Sequence, residues 1–226
     1  MKPISLVMLA YNEEGVIEQT IKDYYREVIS KIPYSEFIIA EDGSTDNTRK
    51  ILKRLKRKYR LTLLLGKERK GYAKAMYDAL KSAKKPIVFF TDSDGQHDPK
   101  DFWRLVKHIK KYDIVSGQKK HRQDGLLRVW VSYFMNLFLS FVIGKRLKDA
   151  NSGFKIMKKE VVDSLDKDFT MILASVEFMK NAVKNGFTVK EIPVSHFERV
   201  YGDSRGIPTS RIPKIIIDTL WGFIKK

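Results

Sequence analysis

Asp92-Ser93-Asp94 sets two carboxylates one residue apart, directly after the apolar run Pro86-Ile87-Val88-Phe89-Phe90-Thr91. A continuous apolar run of that length reads as a strand buried on both faces, and ligands of open α/β sheets gather beyond the carboxyl ends of such strands. Hard divalent cations favour carboxylate oxygens, and Mg²⁺ is usually held by one or two carboxylates plus substrate phosphates. The chemistry suggested is a metal–diphosphate site at a strand end. Taken alone, Asp-Ser-Asp-Gly reads equally well as a polar turn.

Two further clusters stand in the same relation to apolar runs. Glu41-Asp42-Gly43-Ser44-Thr45-Asp46 follows Phe37-Ile38-Ile39-Ala40, and Tyr11-Asn12-Glu13-Glu14 follows the run from Ile4 to Ala10. Each is succeeded by helix-like sequence. In a parallel sheet built from βαβ units the strand C-termini lie together, so the three endings converge on one edge.

The elements that must position them are strands near 4–10, 36–41, 61–66, 86–91, 113–117, 154–158 and 189–195. Helices are expected near 14–29, 46–59, 72–83, 99–111, 128–144, 160–165, 173–185 and 211–225. Alternation of strand and helix over the first 118 residues predicts an α/β fold with a mostly parallel, Rossmann-like sheet flanked by helices. Asp98-Pro99-Lys100-Asp101 starts its helix with Asp as N-cap, Pro at the first position and an acid two residues on.

A chain of 226 residues suits a single domain over 1–226 with a sizeable core. The absence of cysteine rules out disulfides and thiolate metal sites and accords with a reducing compartment. Met1-Lys2-Pro3 leads straight into a strand, so no signal peptide is expected.

The net charge is +17, from 44 basic and 27 acidic residues, which points to an anionic partner. Arg49, Lys50, Lys53, Arg54, Lys56, Arg57, Lys58 and Arg60 crowd one segment without an acid; the plain alternative is a solvated helix face. No helix-turn-helix, zinc-finger or RNP-type signature accompanies the charge, so nucleic acid is not the expected partner.

Anionic lipid fits better. In 128–144 the non-apolar residues Arg128, Ser132, Asn136, Ser140 and Gly144 recur every four positions, one narrow stripe on an otherwise apolar helix. The segment is too short and too striped to span a bilayer. Residues 211–225 repeat the pattern, with Ile215, Ile216, Leu220, Trp221, Phe223 and Ile224 opposite Arg211, Lys214, Asp218 and Lys225. Two such helices with flanking cations are expected to lie in a membrane interface. Packing against the core or in a dimer is the alternative.

Several motifs, in order, carry a family resemblance. They are Ala10-Tyr11-Asn12-Glu13-Glu14, Glu41-Asp42-Gly43-Ser44-Thr45-Asp46, Gly71-Tyr72-Ala73-Lys74-Ala75, Asp92-Ser93-Asp94-Gly95-Gln96-His97, Asp149-Ala150-Asn151-Ser152-Gly153-Phe154, and Glu191-Ile192-Pro193-Val194 with Arg199, Gly202 and Ser204. The chain resembles the family 2 inverting glycosyltransferases of the GT-A fold, within them the dolichyl-phosphate mannose synthase and polyprenyl-phosphate glycosyltransferase group. The likeness covers about residues 3–206. Ala10 stands where the family usually has Pro, Glu41 where it has Asp, and Arg205 where the synthases commonly carry Lys. The last departure bears on the acceptor more than on the reaction.

The resemblance implies that Asp92 and Asp94 hold a Mg²⁺ or Mn²⁺ ion and the ribose–diphosphate, with Gln96 as a further oxygen ligand. Ala10, Tyr11, Glu13, Asp42, Lys74 and Ser93 are implied on the nucleotide sugar, and Arg122 at the diphosphate or acceptor phosphate. Arg199, Ser204 and Arg205 are candidates for the acceptor phosphate, since guanidinium groups bind phosphate bidentately. Asp149 is a candidate base or a group that orients the acceptor loop. His97 suits Mg²⁺ poorly and reads as packing or a hydrogen bond.

The implied reaction moves mannose or glucose from a GDP- or UDP-sugar to dolichyl or polyprenyl phosphate. Its expected place is peripheral, on the cytoplasmic face of the cell membrane. Two alternatives stay open: transfer to a polysaccharide or other hydroxyl acceptor, and a non-catalytic peripheral membrane protein on the same fold.

Overall fold

All seven residues of the first strand, β1 (Ile4–Ala10), are buried. The computed structural model describes residues 1–119, 137–165 and 174–202. In them β1 lies inside a seven-stranded sheet with β2 (Glu36–Glu41), β3 (Leu61–Leu65), β4 (Ile87–Asp92), β5 (Ile114–Lys119), β6 (Lys155–Lys158) and β7 (Val189–Val194). The order across the sheet is β3-β2-β1-β4-β6-β5-β7. β6 runs antiparallel to both its neighbours; every other pairing is parallel.

Strand alternation divides the core into two layers. Val7, Leu9, Ile38, Val88 and Phe90 face α3 (Tyr72–Lys81), α5 (Lys159–Asp163) and α6 (Ala174–Lys184). Leu6, Met8, Ile39, Phe89 and Ile156 face α1 (Ile17–Glu27), α2 (Thr48–Leu55) and α4 (Phe102–Val106). Burying each such side chain contributes about 1.5–3 kcal/mol, which is why strands covered on both sides read as unbroken apolar runs.

The strand expectations hold to within two residues at each end. Helices are shorter than periodicity predicts. The 46–59 helix is confined to Thr48–Leu55, and the chain turns through Arg60 at φ +50°. Asp98 does cap its turn, its carboxylate accepting from Lys100 N at 2.9 Å. Pro99–Asp101 is a 3₁₀ turn, and the α-helix begins only at Phe102.

Of the expected helix 128–144, residues 137–143 are described and helical. Leu139 and Ile143 pack on the core, while Leu137 and Phe141 are exposed, Phe141 by 86%. Ser140, from the polar stripe, is buried; its hydroxyl accepts from Leu147 N and donates to Leu147 O. One apolar side of this segment therefore meets the core and another meets solvent. The expected helix at 211–225 and residues 128–136 lie outside the described residues. Among the described residues no helix is long and apolar enough to cross a membrane.

Candidate active site

The strand order reverses between β1 and β4. From β1 the chain builds outward through β2 and β3, and then crosses back to lay β4 on the other side of β1. Crossovers on either side of such a pair diverge, which opens a crevice beyond its carboxyl ends. Leu9 of β1 is in register with Asp92 of β4, so Ala10–Glu14 and Asp92–Asp94 line this crevice together. Antiparallel β6 begins at the same edge, which brings Asp149–Phe154 to it. β7 ends there too, and residues 195–201 pass across the opening.

That crossing segment is fastened at several points. Phe197 N donates to Gln96 O at 2.7 Å, and Gln96 Nε2 donates to Phe197 O at 3.0 Å. Arg199 then enters the crevice, Nη2 on Glu13 Oε1 at 2.5 Å and Nη1 on Asp94 Oδ2 at 3.4 Å. Tyr201 donates to Glu14 Oε1 at 3.1 Å, and its ring covers Gly15 so closely that a Cβ there would lie 2.2 Å from a ring carbon. One guanidinium thus compensates two carboxylates from different strand ends.

Asp92 is held differently. Tyr72, the first residue of α3, donates its hydroxyl to Asp92 Oδ1 at 3.0 Å. On the other side Gly153 approaches Oδ2; a Cβ at that glycine would stand 1.9 Å from it. Removal from water, reinforced by the neighbouring Asp94 charge, pushes the Asp92 carboxyl up to about 6. Behind Gly153, Lys155 is wholly buried and its ammonium donates to Ser152 O. Burial draws this lysine down to about 8, against the pull of Asp149 and Asp92.

The loops after β1 and β2 are laced together. Asn12 N donates to Ser44 Oγ at 3.1 Å, Thr45 N to Asn12 Oδ1 at 2.8 Å, and Glu13 N to Thr48 Oγ1 at 2.8 Å. Asp42 accepts from Lys70 N at 2.7 Å and Gly71 N at 2.9 Å, which pins the entry to α3. The Arg69 guanidinium sits 4.2 Å from the centre of the Tyr11 ring. A planar cation on an aromatic face at the crevice mouth forms a flat platform.

The structure thus brings Ala10, Tyr11, Glu13, Asp42, Asp92, Ser93, Asp94, Gln96, Asp149 and Arg199 to one edge of the sheet. Asp149 is buried and accepts from Lys119 N at 3.2 Å. Lys74 is exposed on α3. Arg122, Ser204 and Arg205 lie outside the described residues. His97 is buried, its ring 4.9 Å from that of Phe154, and burial drives its imidazole down to about 3, so it packs as a neutral ring. Arg69 and Lys155 lie at this edge outside the motifs read from the sequence, while Tyr72 lies within one and Tyr201 beside another without a role assigned to either. The one local signal that could have found any of them is a lysine at 155, inside the expected strand 154–158.

The donor set suits a hard cation: two carboxylates from Asp92 and Asp94 and the amide of Gln96, all oxygen ligands. Among the described residues no three His, Cys, Asp or Glu side chains are placed to share an ion. A divalent ion here would therefore complete its shell with water or with a ligand's phosphates, which is the usual habit of Mg²⁺.

An open α/β sheet with carboxylates at its switch point defines a class of proteins that take their ligands beyond the carboxyl ends of the strands. Within it, residues 5–166 match the family described as glycosyl transferase family 2, and the chain belongs to that family. It is 26% identical over 211 residues to the undecaprenyl-phosphate 4-deoxy-4-formamido-L-arabinose transferase of Proteus mirabilis, covering 89% of this chain and 62% of that protein. An uncharacterized protein of Methanocaldococcus jannaschii is 29% identical over 217 residues, covering 90% of this chain and 85% of its own length. The chain thus spans less than two thirds of the Proteus transferase.

Two solved structures share the fold. The mannosyltransferase PcManGT from Pyrobaculum calidifontis, in complex with GDP-Man and Mn²⁺, has a TM-score of 0.71 at 22% identity, over 100% of this chain and 65% of its own. Glucosyl-3-phosphoglycerate synthase from Mycobacterium tuberculosis, in complex with Mn²⁺ and UDP-glucose, has a TM-score of 0.71 at 18% identity, over 98% and 78%.

Proposed function

We propose that this chain is an inverting sugar transferase, a single domain over 1–226, that moves a hexose from a GDP- or UDP-sugar to a polyprenyl phosphate at the cytoplasmic membrane face. The observation that carries the reading is the pair Asp92 and Asp94 at the β1/β4 switch point, faced by Arg199 from the segment after β7.

Asp92, Asp94 and Gln96 would hold Mg²⁺ or Mn²⁺, which when bound stabilises the negative charge that develops on the departing diphosphate. Tyr11 and Arg69 offer a surface for the base, and Asp42 holds the loop beside it. The anomeric C–O bond breaks with its electron pair leaving on the nucleoside diphosphate, and an acceptor phosphate oxygen forms the new bond from the opposite face. A phosphate monoester has a second pKa of about 6 and arrives already ionised, so no general base is required of the chain. Arg199, once released from Glu13 and Asp94, would meet that phosphate, and Arg122, Ser204 and Arg205 would join it. Asp149 orients the loop that leads into Gly153.

Membrane contact is supported by exposed apolar side chains: Leu137 and Phe141 on one segment, and Phe197 and Val200 on the crossing segment. Flanking cations and a net charge of +17 favour an anionic bilayer.

The test is incubation with Mn²⁺, a detergent-solubilised polyprenyl phosphate and a panel of GDP- and UDP-sugars, following label into the organic phase. Transfer from one donor is the expected result. Donor hydrolysis or nucleotide binding without lipid product would move the acceptor to a hydroxyl compound. No binding of any nucleotide would remove the transferase reading.

A further inference from the structure

We propose that Tyr72 and Lys155 are positioning residues that together fix the direction in which Asp92 presents its carboxylate to the crevice. The inference rests on the donor-site reading above and assigns two residues that the reaction itself does not touch.

A carboxylate at a strand end is free to rotate about two side-chain bonds, yet a bound cation requires one orientation. Asp92 is constrained on both oxygens. Oδ1 accepts the Tyr72 hydroxyl at 3.0 Å, and Oδ2 abuts the backbone at Gly153. Neither constraint stands alone. Tyr72 opens α3 directly after Gly71, whose φ of +90° is open to glycine and strained for other residues, and the 70–71 backbone is pinned by two hydrogen bonds to the Asp42 carboxylate. The position of the Tyr72 hydroxyl is thereby tied to the loop that Asp42 holds beside the Tyr11–Arg69 pair.

The Gly153 side is tied by Lys155. The carbonyl of Ser152 belongs to the same peptide unit as the Gly153 nitrogen, and Lys155 Nζ donates to it from a fully buried position. In register, Lys155 pairs with Phe90 of β4 and with Ser116 of β5, so its side chain starts two residues below Asp92 on the same face of the sheet. A buried ammonium whose one hydrogen-bond acceptor among the described residues is a backbone carbonyl, with Asp149 and Asp92 acting on it only through space, is unfavourable for stability alone. Ser116, its cross-strand neighbour, adds a buried hydroxyl with no hydrogen-bond partner among the described residues. Such a polar set beneath a charged side chain is better explained by what it holds than by packing. The clamp also requires glycine at 153.

Tyr72→Phe keeps the ring and removes only the hydroxyl, and Lys155→Met keeps the chain length and removes the charge. Mn²⁺ is titrated calorimetrically into each variant with UDP and, separately, with GDP. Mn²⁺-dependent nucleotide binding is expected to weaken about 10-fold or more in each variant, the usual effect of removing a group that orients a metal-holding carboxylate. Metal-free nucleotide binding should stay as in wild type, and Lys155→Arg should recover most of the loss.

Wild-type Mn²⁺ affinity in both Tyr72→Phe and Lys155→Met would overturn the clamp and leave the donor site standing. A lowered melting temperature in Lys155→Met with unchanged Mn²⁺ affinity would reduce Lys155 to a structural residue. Absence of Mn²⁺-dependent nucleotide binding in the wild type would instead remove the donor-site reading, and the clamp with it.

Discussion

Arg199 and Glu13 lie 186 residues apart in sequence and 2.5 Å apart in space, and the same guanidinium reaches Asp94. Their side chains are 12% and 6% exposed. Breaking a buried pair leaves a charge without its partner at a cost of several kcal/mol. Arg199→Ala should therefore lower stability by about 3 kcal/mol, measured from urea denaturation. Glu13→Gln in the same chain should restore more than half of that loss. Arg199→Lys should not, because a point charge does not span two carboxylates as a planar fork does.

Removal of divalent ions should abolish transfer and weaken nucleotide binding to its metal-free level, and Mn²⁺ or Mg²⁺ should restore both. Asp94→Ala should lower turnover at least about 100-fold, the scale expected when charge stabilisation of a leaving diphosphate is lost. Dialysis against a chelator with metal add-back checks the first. Full turnover in Asp94→Ala would refute the metal role.

At Gly153, Ala would set a Cβ 1.9 Å from Asp92 Oδ2 and 2.8 Å from its Cγ. The atoms in the way belong to the end of a rotatable side chain, so Asp92 turns aside and the backbone stays. Gly153→Ala should then fold with a melting temperature within a few degrees of wild type while donor turnover falls steeply. A large drop in melting temperature would instead mean that the strand, and not the carboxylate, had moved.

Asp92 and His97 make opposite contributions to stability as pH changes. The Asp92 carboxyl is raised from 3.8 to about 6, so its contribution is present below the unfolded value and lost as pH rises through 6. Asp92→Asn should therefore be more stable than wild type at pH 7–8, by about 1–2 kcal/mol, with no gain at pH 4. His97 is lowered from 6.5 to about 3, so its contribution is present above 6.5 and lost as pH falls. His97→Phe should flatten the acid limb of the stability curve. Melting temperatures of the two variants across pH 4–8 separate the effects.

The strands were legible because burial on both faces demands continuous apolar runs, and the runs at 4–10 and 36–41 coincide with β1 and β2. Helix ends were less so. Periodicity over 46–59 continues past Leu55, yet the chain must turn at Arg60 to enter β3, and that turn ends the helix early. Ser140 was read on a polar stripe, but tertiary packing turns it inward to satisfy the backbone of Leu147.

The sequence by itself determined the family, the α/β fold and the carboxylates at strand ends, because each is a local pattern: an apolar run, an acidic turn, a fixed motif order. Only the tertiary structure decided what surrounds those carboxylates. Arg199 on Glu13 and Asp94, Tyr72 on Asp92, Arg69 on Tyr11 and Lys155 behind Gly153 are contacts between segments that meet only once the sheet is assembled. Sheet order, and antiparallel β6 above all, sets which loops share the edge, and strand order is a property of global packing that no local window of residues encodes.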